Sequence, residues 1–341
     1  MTSVSDRLHD TDAPPWNPDH PVLELLRARR AAQSLPGRRT DGKRLGLAVE
    51  GGGMRGIISA AMLSALEDMD LLPAFDAVYG CSSGAINAAY FLVGRTWYPL
   101  SIYYDDLTTP EFLDFRRALR FQDVLNPHYA IDKVVGKRKP LDYERVLASE
   151  IPLHVMITDV DGLKTRDIMN FQDPADLTEA LRSTIWLPLA VSGTWPYRGR
   201  RTVDGGVLTA HPLFLAREQC THVLSLSTRP MARPRNKLTA LNRVVEHHLE
   251  RLHPGLGRGY VRAVTEYRAA RLVLHDERHS SSQEPHVLDL APVPGTPELK
   301  RHEMDVGKLL AGARSGYEVL HWAVEKNYRR AIPRMTVSHA W

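Results

Sequence analysis

Apolar runs, each bounded by glycine, proline or small polar residues, punctuate this 341-residue chain: LGLAVEG (45–51), FDAVYGCSSG (75–84), LHVMITDV (153–160), HVLSLS (222–227) and HVLDLA (286–291). Runs of this length with turn chemistry at their ends predict buried strands. Between them the period changes. In IISAAMLSALEDMDLL (57–72), Ile58, Met62, Leu63, Leu66 and Met69 recur at helical spacing, and AINAAYFLVG begins another helix straight after the second run. TALNRVVEHHLERL (239–252) sets Leu241, Val244, Val245, His248 and Leu252 on one face, and VRAVTEYRAARLVL (261–274) reads as a second amphipathic helix. Packing on the sheet is the plain expectation for both. Strands alternating with helices predict an α/β layer architecture around a largely parallel sheet.

Two regions break this rhythm. Residues 1–42 are rich in Pro, Arg and Asp, with only VLELLRARRAAQSL (22–35) helical in pattern, so they read as a lead-in segment docking on a body that starts at Lys43. Residues 95–140 are dense in aromatics and turn formers and separate the second strand from the third, as a cap or wall over a site would. The length suits one domain with appendages.

Composition narrows the setting. Two cysteines, Cys81 and Cys220, cannot build a disulfide framework, and neither joins a Cys/His cluster with metal-ligand spacing, so no metal is expected and a cytoplasmic setting is the simplest. No basic start leads into an apolar run, so no secretion signal is expected, and no segment approaches the roughly 18 apolar residues of a membrane span. Charge is uneven: residues 229–278 hold eleven Lys and Arg against five acids, a net of +6 where the whole chain carries +4. Such a face attracts anionic membranes or nucleic acid, although a solvated helix face is commoner. Nothing aromatic accompanies it in the manner of a nucleic-acid site, so nucleic acid is set aside.

The glycines of VEGGGMRG (49–56) match G-x-G-x-x-G at Gly51, Gly53 and Gly56, between a strand and a helix. A glycine turn entering a helix presents backbone N–H groups lacking intrahelical partners, so it specifies a negative charge rather than a ligand. A dinucleotide site needs an acid at the end of the next strand, but that strand ends in GCSSG; Asp76 lies at its beginning. A nucleotide loop needs GK[ST], which is missing. GCSSG itself offers G-x-S-x-G, with Gly80 and Gly84 flanking Ser82 on a sharp turn between strand and helix. Ser83 is the competing nucleophile, with poorer flanks in Cys81 and Ala85; Cys81 reads as a small buried spacer. A serine hydroxyl needs a base. Fifteen histidines make a late one uninformative, whereas RRTVDGGVLTAHP (200–212) places Asp204 after an extended run and before Gly205 and Gly206.

GGGMRG, GCSSG and DGG, in that order, resemble the patatin-like phospholipase family. STIWLPLAVSGTWPYRGRRTVDGG (183–206) is similar to the family's approach to its aspartate, and ITDVDG (157–162) to its central strand. The likeness covers residues 43–228 as a catalytic core; residues 229–341 are expected to complete the same domain.

The resemblance implies a three-layer α/β/α fold. It implies Ser82 as nucleophile and Asp204 as proton acceptor in a two-residue dyad, with no cofactor. The loop Gly51, Gly52, Gly53, Met54, Arg55 and Gly56 would supply the oxyanion hole, centred on Gly52 and Gly53, with Arg55 bracing it or meeting negative charge. The reaction implied is hydrolysis of fatty-acyl esters of lipids through an acyl-enzyme. Acyl transfer, thioester cleavage, or lipid binding without turnover use the same residues, and sequence does not separate them. Peripheral contact with an anionic membrane is a separate expectation from the aromatic cap and basic helices; oligomeric state is not readable. Glu50 departs from the family pattern and should point away from the loop, and His211 in AHP reads as a turn-stabilising residue rather than a base.

Overall fold

In the computed structural model, which describes residues 13–231 and 238–327, the apolar runs become β1 (Leu45–Val49), β2 (Ala77–Cys81), β3 (Leu153–Asp159), β7 (His222–Leu226) and β8 (His286–Leu290). These five lie parallel in the order β3-β2-β1-β7-β8. Three antiparallel strands extend the β3 side: β4 (Lys164–Ile168), β5 (Trp195–Tyr197) and β6 (Arg200–Asp204). The sheet is therefore mixed but mostly parallel.

Side-chain alternation assigns the two faces. From β1, Leu45, Leu47 and Val49 enter the larger core, joined by Leu224, Leu226, Leu288 and Leu290, while Ala48, Val223 and Val287 face a smaller core on the other side. The larger core is covered by α1 (Pro21–Ala31), α2 (Gly56–Asp68), α3 (Ser83–Leu92) and α10 (Val306–Glu325), with the short helices α4 (Trp97–Leu100) and α5 (Tyr143–Leu147) and α6 (Pro174–Thr184) flanking. The smaller core lies under α7 (Leu213–Gln219) and α9 (Leu256–Glu277). This is a three-layer α/β/α arrangement. Trp16, Leu23 and Leu26 belong to the larger core, so the N-terminal segment is built into the fold from Trp16 onward. Among the described residues no helix is long and apolar enough to cross a membrane.

The helix α8 (Ala240–Leu252) differs from the sequence expectation. Leu241 and Val244 are 67% and 57% exposed; Leu249 is the buried residue, in a small cluster with Leu256 and Val203. α8 packs mainly on α9 and meets the sheet only toward Val203 of β6, because α7 and α9 already cover the parallel strands on that face. Arg233, Arg235 and Lys237 of the basic segment lie outside the described residues.

Much of the aromatic region 95–140 is a wall rather than a cap. Tyr103, Tyr104, Tyr129 and Ile131 are buried in the larger core, and only residues 114–123 leave the body as an exposed excursion.

Candidate active site

The register on β3 brings the two motifs together. Its first half pairs with β2, ending at Met156 opposite Cys81; its second half pairs with β6, beginning at Ile157 opposite Asp204. Both partners occupy the same edge of β3, because β4 fills the other. Two strands therefore meet end to end on consecutive residues of a third, and the residues leaving their ends, Ser82 and Asp204, face one another.

The turn at Ser82 is strained. Its φ of 55° and ψ of −137° lie where a residue with a Cβ is disfavoured, a conformation costing about 1–3 kcal/mol and retained only when surroundings enforce it. Here the Ser82 N–H donates to Thr184 Oγ1 at 2.9 Å, and that hydroxyl donates to the Met156 carbonyl at 2.6 Å. The Ser82 carbonyl accepts from Ala85 N at 3.0 Å as α3 begins. Glycine is needed beside it: a Cβ on Gly51 would strike the Cys81 carbonyl and come within 2.9 Å of the Ser82 Cβ. The glycine loop and the serine turn are thus in van der Waals contact. Ser83 donates to the Gly53 carbonyl at 3.1 Å, which commits its hydroxyl to tying the two together.

Asp204 is buried, and burial raises its pKa above the ordinary 3.8. The Ser82 hydroxyl and the Gly206 N–H oppose that rise, the second through a 2.8 Å bond to Oδ1. Cys81 Sγ lies 3.9 Å from the same oxygen. Burial and the neighbouring Asp204 push the Cys81 thiol well above its ordinary value, so it stays protonated. Ser82 is half-buried, whereas Asp204 is buried.

The loop narrows the set of anion donors. Met54 N–H is already used, donating to the Arg301 carbonyl at 2.9 Å. Among the described residues Gly52 and Gly53 N–H have no acceptor, and Gly52 adopts φ 129°, open only to glycine. The Arg55 guanidinium lies against Gly52; its Nε donates to no described group. Burial lowers its pKa to about 9, helped by repulsion from Arg229 and Arg301 and opposed by Glu50 and Glu298. Glu50 turns to the α9 face. There it accepts from Thr228 N and Oγ1 at 2.5 and 2.8 Å, beside Tyr267. Burial alone would raise Glu50, but His211, Arg229 and Arg55 hold it at about 2.

His211 bonds away from Ser82 and Asp204. Its Nδ1 accepts from Leu213 N at 3.1 Å, and its Nε2 lies 3.3 Å from Ser227 Oγ and 3.5 Å from Ser225 Oγ. Burial lowers its pKa, against the pull of Glu50 and Asp289. Asp76, at the far end of β2, is taken by Arg29, Arg39 and the Leu45 N–H. Among the described residues no group of three or more His, Cys, Asp or Glu is placed to hold a metal ion. Sequence reasoning missed Thr184, which holds the serine turn, and Arg301, which reaches the loop through its backbone from about 250 residues away in sequence and so leaves no residue-type signal.

Residues 47–217, which contain all three motifs, match the model of a family described as patatin-like phospholipase. No curated protein matches the chain. Among solved structures, VipD from Legionella pneumophila is similar, with 13% identity over 84% of this chain and 67% of that one and a TM-score of 0.42. That likeness is too low to carry an argument.

Proposed function

The chain belongs to the patatin-like phospholipase family, and on that premise we propose that it is a serine acyl hydrolase cleaving fatty-acyl esters of lipids with a Ser82–Asp204 dyad. The observation supporting this most directly is the β3 register, which sets Cys81 and Asp204 opposite Met156 and Ile157 and so aims two motifs 122 residues apart at one point.

In this mechanism ionised Asp204 takes the Ser82 proton as Oγ attacks the ester carbonyl carbon. The electron pair displaced onto the carbonyl oxygen is held by Gly52 and Gly53 N–H, donors worth about 3 kcal/mol each toward the transition state. The carbon–oxygen bond to the leaving alcohol then breaks, and the alcohol departs with the proton from Asp204. Water, deprotonated by the same carboxylate, attacks the acyl-serine; the fatty acid leaves and the proton returns to Ser82. A carboxylate is a weak base toward an alcohol, and the buried position that raises Asp204's proton affinity improves the match. His211, bonded toward Ser227, takes no part.

The substrate is met at an anionic membrane surface, and the two free, buried thiols fit a cytoplasmic setting. Labelling by a fluorophosphonate probe tests the assignment. Wild-type protein should label and Ser82→Ala should not; equal labelling of both would place the nucleophile elsewhere.

A further inference from the structure

The exposed excursion from the aromatic region carries an unusual surface. Phe115–Arg120 forms a short 3₁₀ helix with no buried residue, and Phe115, Leu119 and Phe121 are 56%, 84% and 99% exposed. A single exposed apolar residue is ordinary, but three large ones within seven positions are not. On a 3₁₀ helix residues three apart eclipse one another, so Phe115 and Ala118 form one stripe continuing toward Phe121, and Arg117 and Arg120 the next. Arg116 is paired with Asp114 at 3.0 Å, and Arg117 donates to the Pro110 carbonyl at 2.6 Å. Arg120 has no partner among the described residues.

The neck of this knob is well fixed. Leu113 and Leu125 form an antiparallel bridge, and Asp114 N donates to the Val124 carbonyl at 3.0 Å. The knob also adjoins the active site from two sides. Leu125 N donates to the Ala190 carbonyl at 3.0 Å and Asp123 accepts from Ser192 N at 2.8 Å, stitching it to the loop that follows Trp186, whose carbonyl holds the Asp204 N–H. On the other side the Phe115 and His302 rings form a T-shaped pair with centroids 5.2 Å apart, next to Arg301, whose carbonyl caps the oxyanion loop. Leu189 in the stitched loop and Met304 beyond His302 are exposed as well.

We propose that this knob is the membrane-docking surface of the enzyme: Phe115, Leu119 and Phe121 enter the acyl region of an anionic bilayer, and Arg117 and Arg120 engage lipid phosphates. Charge complementarity and position single out this occupant, because apolar tips interleaved with guanidinium groups suit the boundary between acyl chains and anionic headgroups. Docking here would present the mouth of the Ser82 site to the lipid surface. The inference rests on the proposed lipid hydrolase reading and refines the sequence expectation, which gave a share of membrane contact to the basic helices.

The test uses the full chain and unilamellar vesicles of phosphatidylcholine with phosphatidylglycerol. Leu119→Asp/Phe121→Asp should lower co-sedimentation about tenfold or more and vesicle-lipid hydrolysis in proportion, while hydrolysis of a soluble short-chain nitrophenyl ester and fluorophosphonate labelling stay at wild-type levels. Arg117→Glu/Arg120→Glu should weaken binding to anionic vesicles and flatten its salt dependence. Leu241→Asp on α8, also an exposed apolar position, should change neither. Undiminished vesicle binding by the knob variant, no binding by the wild type, or loss of soluble-ester activity together with vesicle binding would overturn the proposal. So would a wild-type dimer that the knob variant splits while still binding vesicles. Loss of vesicle binding in a protein that hydrolyses no ester would support docking and refute the hydrolase reading.

Discussion

Two buried polar regions of this sheet are built to opposite standards. Beneath β7 and β8, Asp289 has both oxygens occupied: Ser225 and Ser227 donate to Oδ1 at 2.9 and 2.6 Å, and Arg278 donates to Oδ2 at 2.8 Å and through Nε to the Asp289 carbonyl at 2.7 Å. His211 closes the network from the other side. At the corner where β2 meets β6, by contrast, Ser82 is strained, Asp204 holds one short bond to a charge-bearing oxygen, and Arg55 Nε has no partner among the described residues. Buried polar groups that are fully bonded specify and stabilise a fold; those left under-bonded persist where something else uses them. The contrast separates structure from chemistry within one sheet, and mutations at the two places should separate stability from rate.

The largest effect should come from Ser82→Ala, which removes the proposed nucleophile. Turnover of a soluble ester should fall about a millionfold or to background, with a melting curve no lower than wild type. Asp204→Asn should follow, with kcat about 10²–10⁴ lower and, unlike most core substitutions, a gain in stability at neutral pH. The sign follows from burial. The folded protein binds the Asp204 proton more tightly than the unfolded chain, so this residue's contribution is most favourable below the ordinary value of 3.8 and is lost as pH rises through the higher folded value. Asparagine cannot ionise and escapes that loss; denaturant melts at pH 7 and pH 4 should show the gain shrinking with acid.

Asp289→Ala reverses the pattern. It strands Arg278 in the interior and should cost about 3–5 kcal/mol of stability in denaturant melts, while folded protein keeps its kcat. His211→Asn should give the smallest change, about 1 kcal/mol from its weakened bond toward Ser227, with ester hydrolysis close to wild type.

The same contrast explains what could be read from sequence. The parallel strands were legible because both their faces are buried, which leaves continuous apolar runs such as Leu45–Val49. GCSSG and DGG were legible because close backbone approach demands small residues: a Cβ on Gly205 would strike the Met156 carbonyl. β4 and β5 were not, since KTRDI is half-exposed along its length and WPY is three residues long. The α8 face misled because spacing reports amphipathicity and not what covers it: Leu241 and Val244 have the right period and meet solvent. Arg301 contributes a carbonyl, which every residue possesses.

The central claim is that Asp204 alone activates Ser82. Its most direct test is the pH dependence of the fluorophosphonate labelling rate in wild type, Asp204→Asn and His211→Asn. Wild-type labelling should rise with pH through a single ionisation above the ordinary aspartate value. His211→Asn should keep both the rate and the step, and Asp204→Asn should lose both. A step that survives in Asp204→Asn, or disappears in His211→Asn, would contradict the account and move the base to the histidine.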